Sequence, residues 1–270
     1  MSFGLRVRAM SYLDRILVDA SARLAQRMTE KPLSAFEEAV AAADPPRDLV
    51  SAISAPGMSV IAEIKRRSPS AGALKSEVDV AATAMAYESG GARALSVLTE
   101  PRFFGGSLTD LSDARKHCSL PVLRKDFLLD PYQVVEARAS GADACLLIAA
   151  ALDRAGLMNQ MFLAVDELGM TPLVEVHSED ELEAVMSLSP KVIGVNQRDL
   201  STFEIDTALA IRLRKRIPTE VMVVAESGIK TRAQVEEMEE AGIDAILVGE
   251  TLMRAPDAAD AVRRLLGPGR

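Results

Sequence analysis

Eight short apolar segments, each followed by a helical pattern, constrain the fold of this 270-residue chain more than any other feature. From Met58 onward, strands are predicted at 58–65, 93–98, 121–126, 143–148, 171–176, 191–196, 221–226 and 244–249. The segments between them repeat apolar residues at helical spacing, with helix caps predicted at Ser107, Asp153, Ser178 and Asp206. Strands this apolar are typical of a parallel sheet covered by helices. Eight of them predict an α/β protein with a closed (β/α)₈ TIM barrel.

An internal repeat supports this count of strands. The tetrapeptides at 91–94, 141–144 and 242–245 (GARA, GADA and GIDA) each end a helix with glycine and start a strand. Their offsets are 50 and 101 residues, and fifty residues correspond to about two strand–helix units. An open doubly wound sheet is the alternative. Its first turn would normally carry a glycine-rich dinucleotide fingerprint, and no predicted strand is followed by one.

The first 57 residues have a different pattern. Leu13, Ile16, Leu17 and residues 20–24 recur at helical spacing, a second short helix is predicted at 34–43, and prolines 45–46 end the pattern. We expect residues 1–57 to form a helical extension packed on the barrel of residues 58–270, within one domain overall. Because the helical pattern begins just after Met10, this residue is a second candidate start, and residues 1–9 are then a dispensable extension.

Charge and cysteine content argue against several functional classes. The net charge of -8, without a long Lys/Arg block, argues against a nucleic-acid surface. Cys118 and Cys145 form no CxxC motif, which predicts neither a disulfide framework nor a zinc site. His117 and His177 are isolated, lack a second metal ligand and are not expected to be catalytic. No apolar run is as long as a membrane span, and the N-terminus is unlike a signal peptide, so we expect a cytoplasmic protein.

Polar side chains occur at the carboxyl ends of the predicted strands, beginning with Glu63 and Lys65. These residues are two positions apart, so a strand directs both side chains to the same face. Burying a carboxylate beside an ammonium is costly unless both are well satisfied, and a protein that does so usually has a chemical use for the pair. A satisfied ion pair at the rim of the sheet is the alternative interpretation.

Later strands add further polar residues, and in a (β/α)₈ barrel these ends converge on one mouth. The candidate catalytic residues are Glu63, Lys65, Lys125, Glu175, Asn196, Glu226 and Ser227. Close lysines and carboxylates push one another's pKa values apart, which supplies an acid and a base near neutrality. Any one of these residues alone is more often a solvated rim residue than a catalyst. Five strands that end in this way favour a catalytic cavity.

The last two loops predict an anion site. Gly228 and Gly249 follow the seventh and eighth strands, at positions where backbone N–H groups can point at an anion. A short helix that begins near Glu250 would add its N-terminal dipole, with the Glu250 carboxylate pointing away. Barrels often bind phosphate at this place, although two tight turns alone would also explain the glycines.

Seven motifs at these strand ends, taken together, resemble the indole-3-glycerol-phosphate synthase family of tryptophan biosynthesis. They are EIKRRSPS (63–70), SVLTE (96–100), LRKDF (123–127), LVEVH (173–177), GVNQRDL (194–200), AESGI (225–229) and VGETLM (248–253). The resemblance runs in order from about Met10 to Leu266. The helical extension is similar to the one that covers the barrel mouth in this family, although residues 18–27 match only loosely. Gln197 departs from the family pattern beside Asn196, and we expect little effect from it.

The resemblance implies a reaction. In this family, the enzyme closes the indole ring of 1-(2-carboxyphenylamino)-1-deoxyribulose 5-phosphate with loss of carbon dioxide and water. The reaction needs neither a metal nor an organic cofactor. An ammonium, from Lys125 or Lys65, would protonate or polarise the ketone oxygen. The family assigns the remaining proton transfers among Lys65, Lys125, Glu175 and Glu63, and the sequence leaves their division open.

The resemblance also implies how the substrate is held. Asn196, Glu226 and Ser227 position the substrate and Glu175, while Lys65 and the last two loops hold the phosphate. The residues expected to bind the substrate are Ser68, Phe104, Phe127, Arg198, Gly228, Gly249 and Glu250, with Phe104, Phe127 and Arg198 bordering the aromatic ring. The partner is therefore a phosphorylated small molecule, with no nucleic acid and no membrane. The chain is expected to be a monomer or homodimer.

Three alternatives remain at this point. A Schiff-base lyase would use Lys125 to attack a sugar ketone. A phosphoribosylanthranilate isomerase would carry a cysteine at the end of the first strand, where this chain has Glu63. A phosphate-binding barrel without catalytic activity would not explain two lysines and three carboxylates at one mouth.

Overall fold

The computed structural model describes residues 10–152, 156–200 and 202–267, and these residues contain the closed barrel predicted from the sequence. Its strands are β1 (Ser59–Ile64), β2 (Ala94–Leu98), β3 (Val122–Lys125), β4 (Ala144–Ile148), β5 (Thr171–Val176), β6 (Val192–Asn196), β7 (Met222–Glu226) and β8 (Ala245–Val248). Each strand pairs in parallel with its neighbours in the sequence, and β8 pairs with β1 to close the barrel. All eight strand predictions are confirmed, with every end within one residue of the expected position.

Helices precede the barrel and follow each of its strands. They are α1 (Tyr12–Glu30), α2 (Glu37–Ala42), α3 (Leu49–Ile53), α4 (Val80–Ser89), α5 (Leu108–His117), α6 (Pro131–Ala139), α7 (Ala149–Leu152), α8 (Met158–Glu167), α9 (Glu179–Met186), α10 (Leu209–Arg214), α11 (Arg232–Glu240), α12 (Glu250–Met253) and α13 (Ala258–Leu266). No helix in the described ranges is long and apolar enough to cross a membrane.

The sequence predictions were less complete for the short elements. The helix expected at 34–43 begins as a 3₁₀ turn, Leu33–Phe36, before α2, while α3 and a hairpin of Arg67–Ser68 with Gly72–Ala73 were not predicted. Ser107 and Ser178 cap α5 and α9 as expected. The prediction for Asp206 is wrong, because α10 begins only at Leu209 with Ala208 as its N-cap. The Asp206 carboxylate accepts the Ala208 N–H at 3.1 Å in the preceding turn and pairs with Arg212. The cap predicted at Asp153 lies outside the described residues.

Alternation along the strands produces two apolar layers. On β1, Val60, Ala62 and Ile64 pack outward against the helices, whereas Ile61 points into the barrel with inward residues of the other strands. The inner layer continues into the N-terminal helices. Helix α3 packs at the amino ends of the strands, where Ser59 Oγ donates a 2.8 Å hydrogen bond to the Ile53 carbonyl.

Helix α1 lies at the opposite end of the barrel, over the carboxyl ends of the strands. Leu13 and Ile16 on its buried face line a cavity there together with the strand-end residues. The Ser11 side chain and Asp14 form a capping box that starts the helix. The N-terminal residues therefore contribute to both ends of the barrel, and α1 covers the end where the predicted site lies.

Candidate active site

Lys125 stands between two buried carboxylates at the barrel mouth. It ends β3, and its Nζ lies 2.7 Å from Glu175 Oε2 at the end of β5 and also pairs with Glu226 Oε2 at the end of β7. The Lys125 side chain is 13% exposed, and each glutamate side chain is 2% exposed. Three strands that are far apart in sequence therefore place one ammonium and two carboxylates in direct contact.

Asn196 and Ser227 orient this group. Asn196 Nδ2 donates to Glu175 Oε1 at 3.3 Å, and Ser227 Oγ donates to Asn196 Oδ1 at 2.8 Å. The backbone N–H of Arg198 donates to the same Asn196 oxygen at 3.1 Å. Gln197 lies behind the cavity, where its Nε2 donates to the Ser227 carbonyl at 2.8 Å. The amide of Asn196 is thus fixed so that its donor faces Glu175.

The two carboxylates beside Lys125 have opposite pKa shifts. Burial alone would raise the pKa of Glu175. The charges of Lys125 and His177 and the hydrogen bonds from Lys125 and Asn196 outweigh this effect and lower the pKa to about 2. Burial and the nearby charge of Glu175 raise the pKa of Glu226 to about 8 against the opposing effect of Lys125. Burial lowers the pKa of Lys125, but the carboxylates of Glu175, Glu226 and Glu63 more than compensate, and its pKa is raised. Before the substrate binds, these shifts favour a protonated Lys125, an ionised Glu175 and a protonated Glu226 at neutral pH.

A second ion pair lies on the neighbouring side of the mouth. Lys65 Nζ is 2.5 Å from Glu63 Oε1, and both side chains are largely buried. Gly249, after β8, closes over this pair, since a Cβ atom at Gly249 would lie 2.2 Å from Glu63 Oε1 and 3.0 Å from Lys65 Nζ. The absence of a side chain at Gly249 is therefore required for the Glu63–Lys65 pair to keep this geometry.

The loops after β7 and β8 have the backbone geometry expected of an anion site. Ser227 and Gly228 both have positive φ, 69° and 81°, which turns the chain sharply at the mouth. Helix α12 begins at Glu250, as the sequence predicted, with Gly249 at its N-cap. The Glu250 carboxylate pairs with Arg254 Nε at 3.1 Å. Its charge is thus directed to the neighbouring Arg254.

The remaining predicted residues line the same cavity. They are Ser68, Phe104, Phe127 and Arg198. The rings of Phe104 and Phe127 have centroids 6.3 Å apart, so they form one apolar wall. The loop that carries Phe104 is held by Glu100, whose buried carboxylate accepts N–H groups of Arg102, Phe103 and Phe104. All fourteen candidate residues are therefore brought together, and their individual roles remain predictions.

Residues of α1 that the sequence did not single out as site residues also form part of the cavity wall. Tyr12, Leu13 and Ile16 line the cavity, and ion pairs hold the helix in place. Arg23 Nη2 lies 2.7 Å from Glu100 Oε1, and Asp19 pairs with Arg102. The family resemblance implied that the N-terminal extension covers the mouth, but the apolar spacing does not identify which of its residues line the cavity, because their partners lie far away in sequence.

His177 also lies beside the site, although its isolated position along the chain gave no sign of this. Its ring follows β5, and Nε2 lies 3.4 Å from Glu175 Oε1. The signal that could have identified it is its position two residues after Glu175, which places both side chains on one face of the chain.

Comparison with known proteins identifies close relatives over nearly the whole chain. A family model described as indole-3-glycerol phosphate synthase matches residues 13–265. The indole-3-glycerol phosphate synthases of Mycobacterium avium (strain 104) and Mycobacterium tuberculosis (strain ATCC 25618 / H37Rv) are each 48% identical over 257 residues. In both cases the match covers 95% of this chain and 94% of the relative.

Solved structures of more distant proteins share the fold. A 3-hexulose-6-phosphate synthase matches with a TM-score of 0.62 at 16% identity, over 77% of this chain and 98% of that protein. A thiamine phosphate pyrophosphorylase from Pyrococcus furiosus matches with a TM-score of 0.59 at 16% identity, over 81% and 96% of the two chains. At these identities, the likeness is one of fold alone.

Proposed function

The chain belongs to the indole-3-glycerol phosphate synthase family, and from this premise we propose how its cavity residues divide the reaction. The enzyme is a carboxy-lyase of tryptophan biosynthesis. It converts 1-(2-carboxyphenylamino)-1-deoxyribulose 5-phosphate into indole-3-glycerol phosphate by ring closure, decarboxylation and dehydration. The observation that supports the division best is the contact of Lys125 with both Glu175 and Glu226 at the mouth.

Lys125 is the acid of ring closure. The aryl carbon that bears the carboxylate attacks the ketone carbon, a carbon–carbon bond forms, and the carbonyl electron pair moves to oxygen. A protonated Lys125 stabilises this oxygen and donates its proton to it. Its raised pKa keeps the amine charged, which does not suit the neutral nucleophile that a Schiff-base lyase would need. Carbon dioxide then leaves with cleavage of the aryl–carboxylate bond, and the ring regains its aromaticity.

Glu63 and Lys65 carry the dehydration. After ring closure Lys125 has given up its proton, whereas the Glu63–Lys65 pair still offers one acceptor and one donor 2.5 Å apart. Glu63 takes a proton from the carbon beside the ring nitrogen, and Lys65 protonates the hydroxyl group that leaves as water. One proton per turnover is then taken up from solution, which balances the loss of the substrate carboxylate as carbon dioxide.

The other cavity residues hold and orient the substrate. Asn196, Glu226 and Ser227 keep Glu175 and Lys125 in register, since all five side chains are linked by hydrogen bonds or ion pairs. The substrate phosphate binds beside Lys65. The residues that surround it or border the aromatic ring are Ser68, Phe104, Phe127, Arg198, Gly228, Gly249 and Glu250.

The test of the acid is a turnover assay with Lys125→Ala. Purified protein is mixed with the substrate in metal-free buffer containing EDTA, and indole fluorescence is followed. We expect kcat to fall about 10²- to 10⁴-fold with a much smaller change in KM, because the lost interaction forms mainly in the transition state. Lys116→Ala, at an exposed lysine on α5, is the matched control. Unchanged turnover in Lys125→Ala would remove this residue from the mechanism.

The phosphate site is tested with Gly249→Ala. The added Cβ would meet Glu63 and Lys65 and displace the ammonium from the anion. We expect indole-3-glycerol phosphate to bind about tenfold more weakly, a change of about 1.4 kcal/mol. An analogue without the phosphate serves as the control and should lose less affinity. Equal losses for both ligands would place the phosphate elsewhere.

The wider setting of the enzyme is part of the same proposal. We place it in the cytoplasm as a monomer or homodimer that binds no nucleic acid, which is supported by its net charge of -8 and its small phosphorylated substrate. Residues 1–57 and 58–270 act as one domain, because α1 and α3 pack into the inner apolar layer of the barrel. Size-exclusion chromatography with light scattering tests the oligomeric state.

A further inference from the structure

His177 lies between two carboxylates at the edge of the active site. Its Nε2 is 3.4 Å from Glu175 Oε1, and its Nδ1 is 3.4 Å from Glu181 Oε2. Lys125 contacts the other oxygen of Glu175, Oε2. The histidine side chain is 12% exposed, so this contact is largely shielded from water. The mechanism described above gives no role to His177 or Glu181.

Glu181 is fixed where it meets the ring. Its Oε2 accepts the backbone N–H of His177 at 2.7 Å, and its own N–H donates to Ser178 Oγ, the cap of α9, at 3.1 Å. The Glu181 side chain is 26% exposed and forms the solvent edge of the contact. The imidazole is thus held between a buried carboxylate on β5 and a partly exposed one on α9.

The charged groups that influence His177 most are all acidic. They are Glu175 on β5, Glu181 on α9 and Glu226 on β7. Burial lowers the pKa of His177, but the close Glu181 carboxylate and the charges of Glu175 and Glu226 outweigh it, and the pKa is raised. An imidazole between two carboxylates is therefore favoured in its doubly protonated, cationic form.

The surroundings of Glu175 and Glu226 differ in one respect. Glu175 Oε1 receives Asn196 Nδ2 at 3.3 Å and faces the His177 ring. Glu226 Oε1 is buried without a hydrogen-bond partner among the residues that the structure describes. A carboxylate oxygen without a donor is poorly stabilised in its ionised form.

We propose that His177 is a positioning residue that, as an imidazolium, decides which of the two carboxylates beside Lys125 is ionised. With the cation at Glu175 Oε1, the proton of the glutamate pair resides on Glu226, and Glu175 remains the charged partner of Lys125. Without the His177 cation, Glu175 and Glu226 compete for the single proton of the pair, and a fraction of molecules carry Glu175 in the neutral form. The inference rests on the mechanism proposed above, and it adds that an ionised Glu175 holds the Lys125 ammonium in place for ring closure.

The charge on His177 is tested directly by NMR titration of the full chain. The chain has two histidines, so His177→Gln assigns both imidazole signals and leaves the exposed His117 as an internal reference. We expect His177 to titrate at higher pH than His117, and both Glu181→Gln and Glu175→Gln to lower its midpoint. Glu183→Gln, at an exposed glutamate on the same helix, should leave it unchanged. A midpoint at or below that of His117 would overturn the proposal.

The kinetic test uses His177→Gln, because glutamine retains a donor near the Nε2 position and lacks the charge. We expect kcat to be about tenfold lower than wild type at pH 6 and to approach wild type at pH 9, with little change in KM. The deficit shrinks with rising pH because Glu226 loses its proton and both carboxylates are then ionised in either protein. A purely structural role would give the same kcat ratio at every pH, and that result contradicts the proposal.

Glu175→Gln separates this inference from the mechanism that it depends on. If this variant turns over normally, the role of Glu175 is wrong and the inference falls with it. If it is impaired while His177 titrates like His117 in wild type, the role of Glu175 stands and only the inference about His177 fails. Impaired turnover together with a lowered His177 midpoint supports both.

Discussion

Gly194 on β6 gives the Glu226 carboxylate the space that it occupies. A Cβ atom at Gly194 would lie 2.3 Å from Glu226 Oε1 and 2.9 Å from Leu173 Cδ2. Glu226 would have to move away from Lys125, although alanine itself is suited to a strand. We expect Gly194→Ala to lower kcat by about 100-fold, the loss typical of a displaced catalytic group.

A double-mutant cycle shows whether this loss acts through Glu226. Steady-state kcat is measured for Gly194→Ala, for Glu226→Gln and for the two substitutions combined. The combined variant should be little worse than the poorer single variant, because the two changes disturb the same carboxylate. Full additivity of the two losses would show that Gly194 acts independently of Glu226.

At this scale, the sequence predicts which residues reach the mouth but not how they pair. Glu63 and Lys65 could be placed on one face because a strand has a period of two. The contacts of Lys125 with Glu175 and Glu226 depend on barrel closure across strands 50 and 101 residues apart. The roles of Gly194 and His177 in packing against these carboxylates were invisible for the same reason.

Helix α1 is the element that joins the N-terminal extension to the active site. Ile16 on its inner face is 3% exposed and lines the cavity, whereas Val18 two positions later is 61% exposed. Truncating Ile16 removes buried apolar contacts, while truncating Val18 removes almost none. Comparing the Ile16→Ala and Val18→Ala variants therefore tests the packing of α1 on the barrel without changing any polar group.

We expect Ile16→Ala to loosen α1 and to raise KM several-fold, since the cavity loses part of its wall. A large-to-small change at a buried site costs about 2–5 kcal/mol, and much of that is local to the contact of α1 with the barrel. Hydrogen exchange of α1 amides should speed up in Ile16→Ala and stay close to wild type in Val18→Ala. Equal exchange in the two variants would mean that α1 is held by its ion pairs alone.

Elements differ in how far they can be read from sequence. The barrel strands were located to within one residue because each is a continuous apolar run between glycine and polar signals. Helix α3 was missed because five residues contain too little periodicity to distinguish them from a loop. The hairpin of Arg67–Ser68 with Gly72–Ala73 has only two paired positions, too few for a sequence pattern to specify.

For the whole molecule, the buried charged groups of the active site lower the free energy of unfolding. Closure of the barrel buries Lys125, Glu175 and Glu226 together, so that one ammonium group pairs with two carboxylates. In the unfolded chain each group is hydrated and separate. The free energy of unfolding must therefore depend on pH through these residues.

Glu226 determines the sign of that dependence. Its pKa rises from an ordinary value of 4.5 to about 8 on folding, so the folded state retains a proton that the unfolded state releases. The resulting stabilisation is complete below about pH 4.5 and is lost as the pH rises through about 8. Glu226→Gln, which cannot ionise, should therefore gain stability relative to wild type as the pH rises from 5 to 9, by on the order of 4 kcal/mol. Urea unfolding at pH 5, 7 and 9 measures the difference, with Glu183→Gln as the exposed control. A difference that stays constant with pH would show that Glu226 is already ionised in the folded enzyme, and that the proton of the pair resides elsewhere.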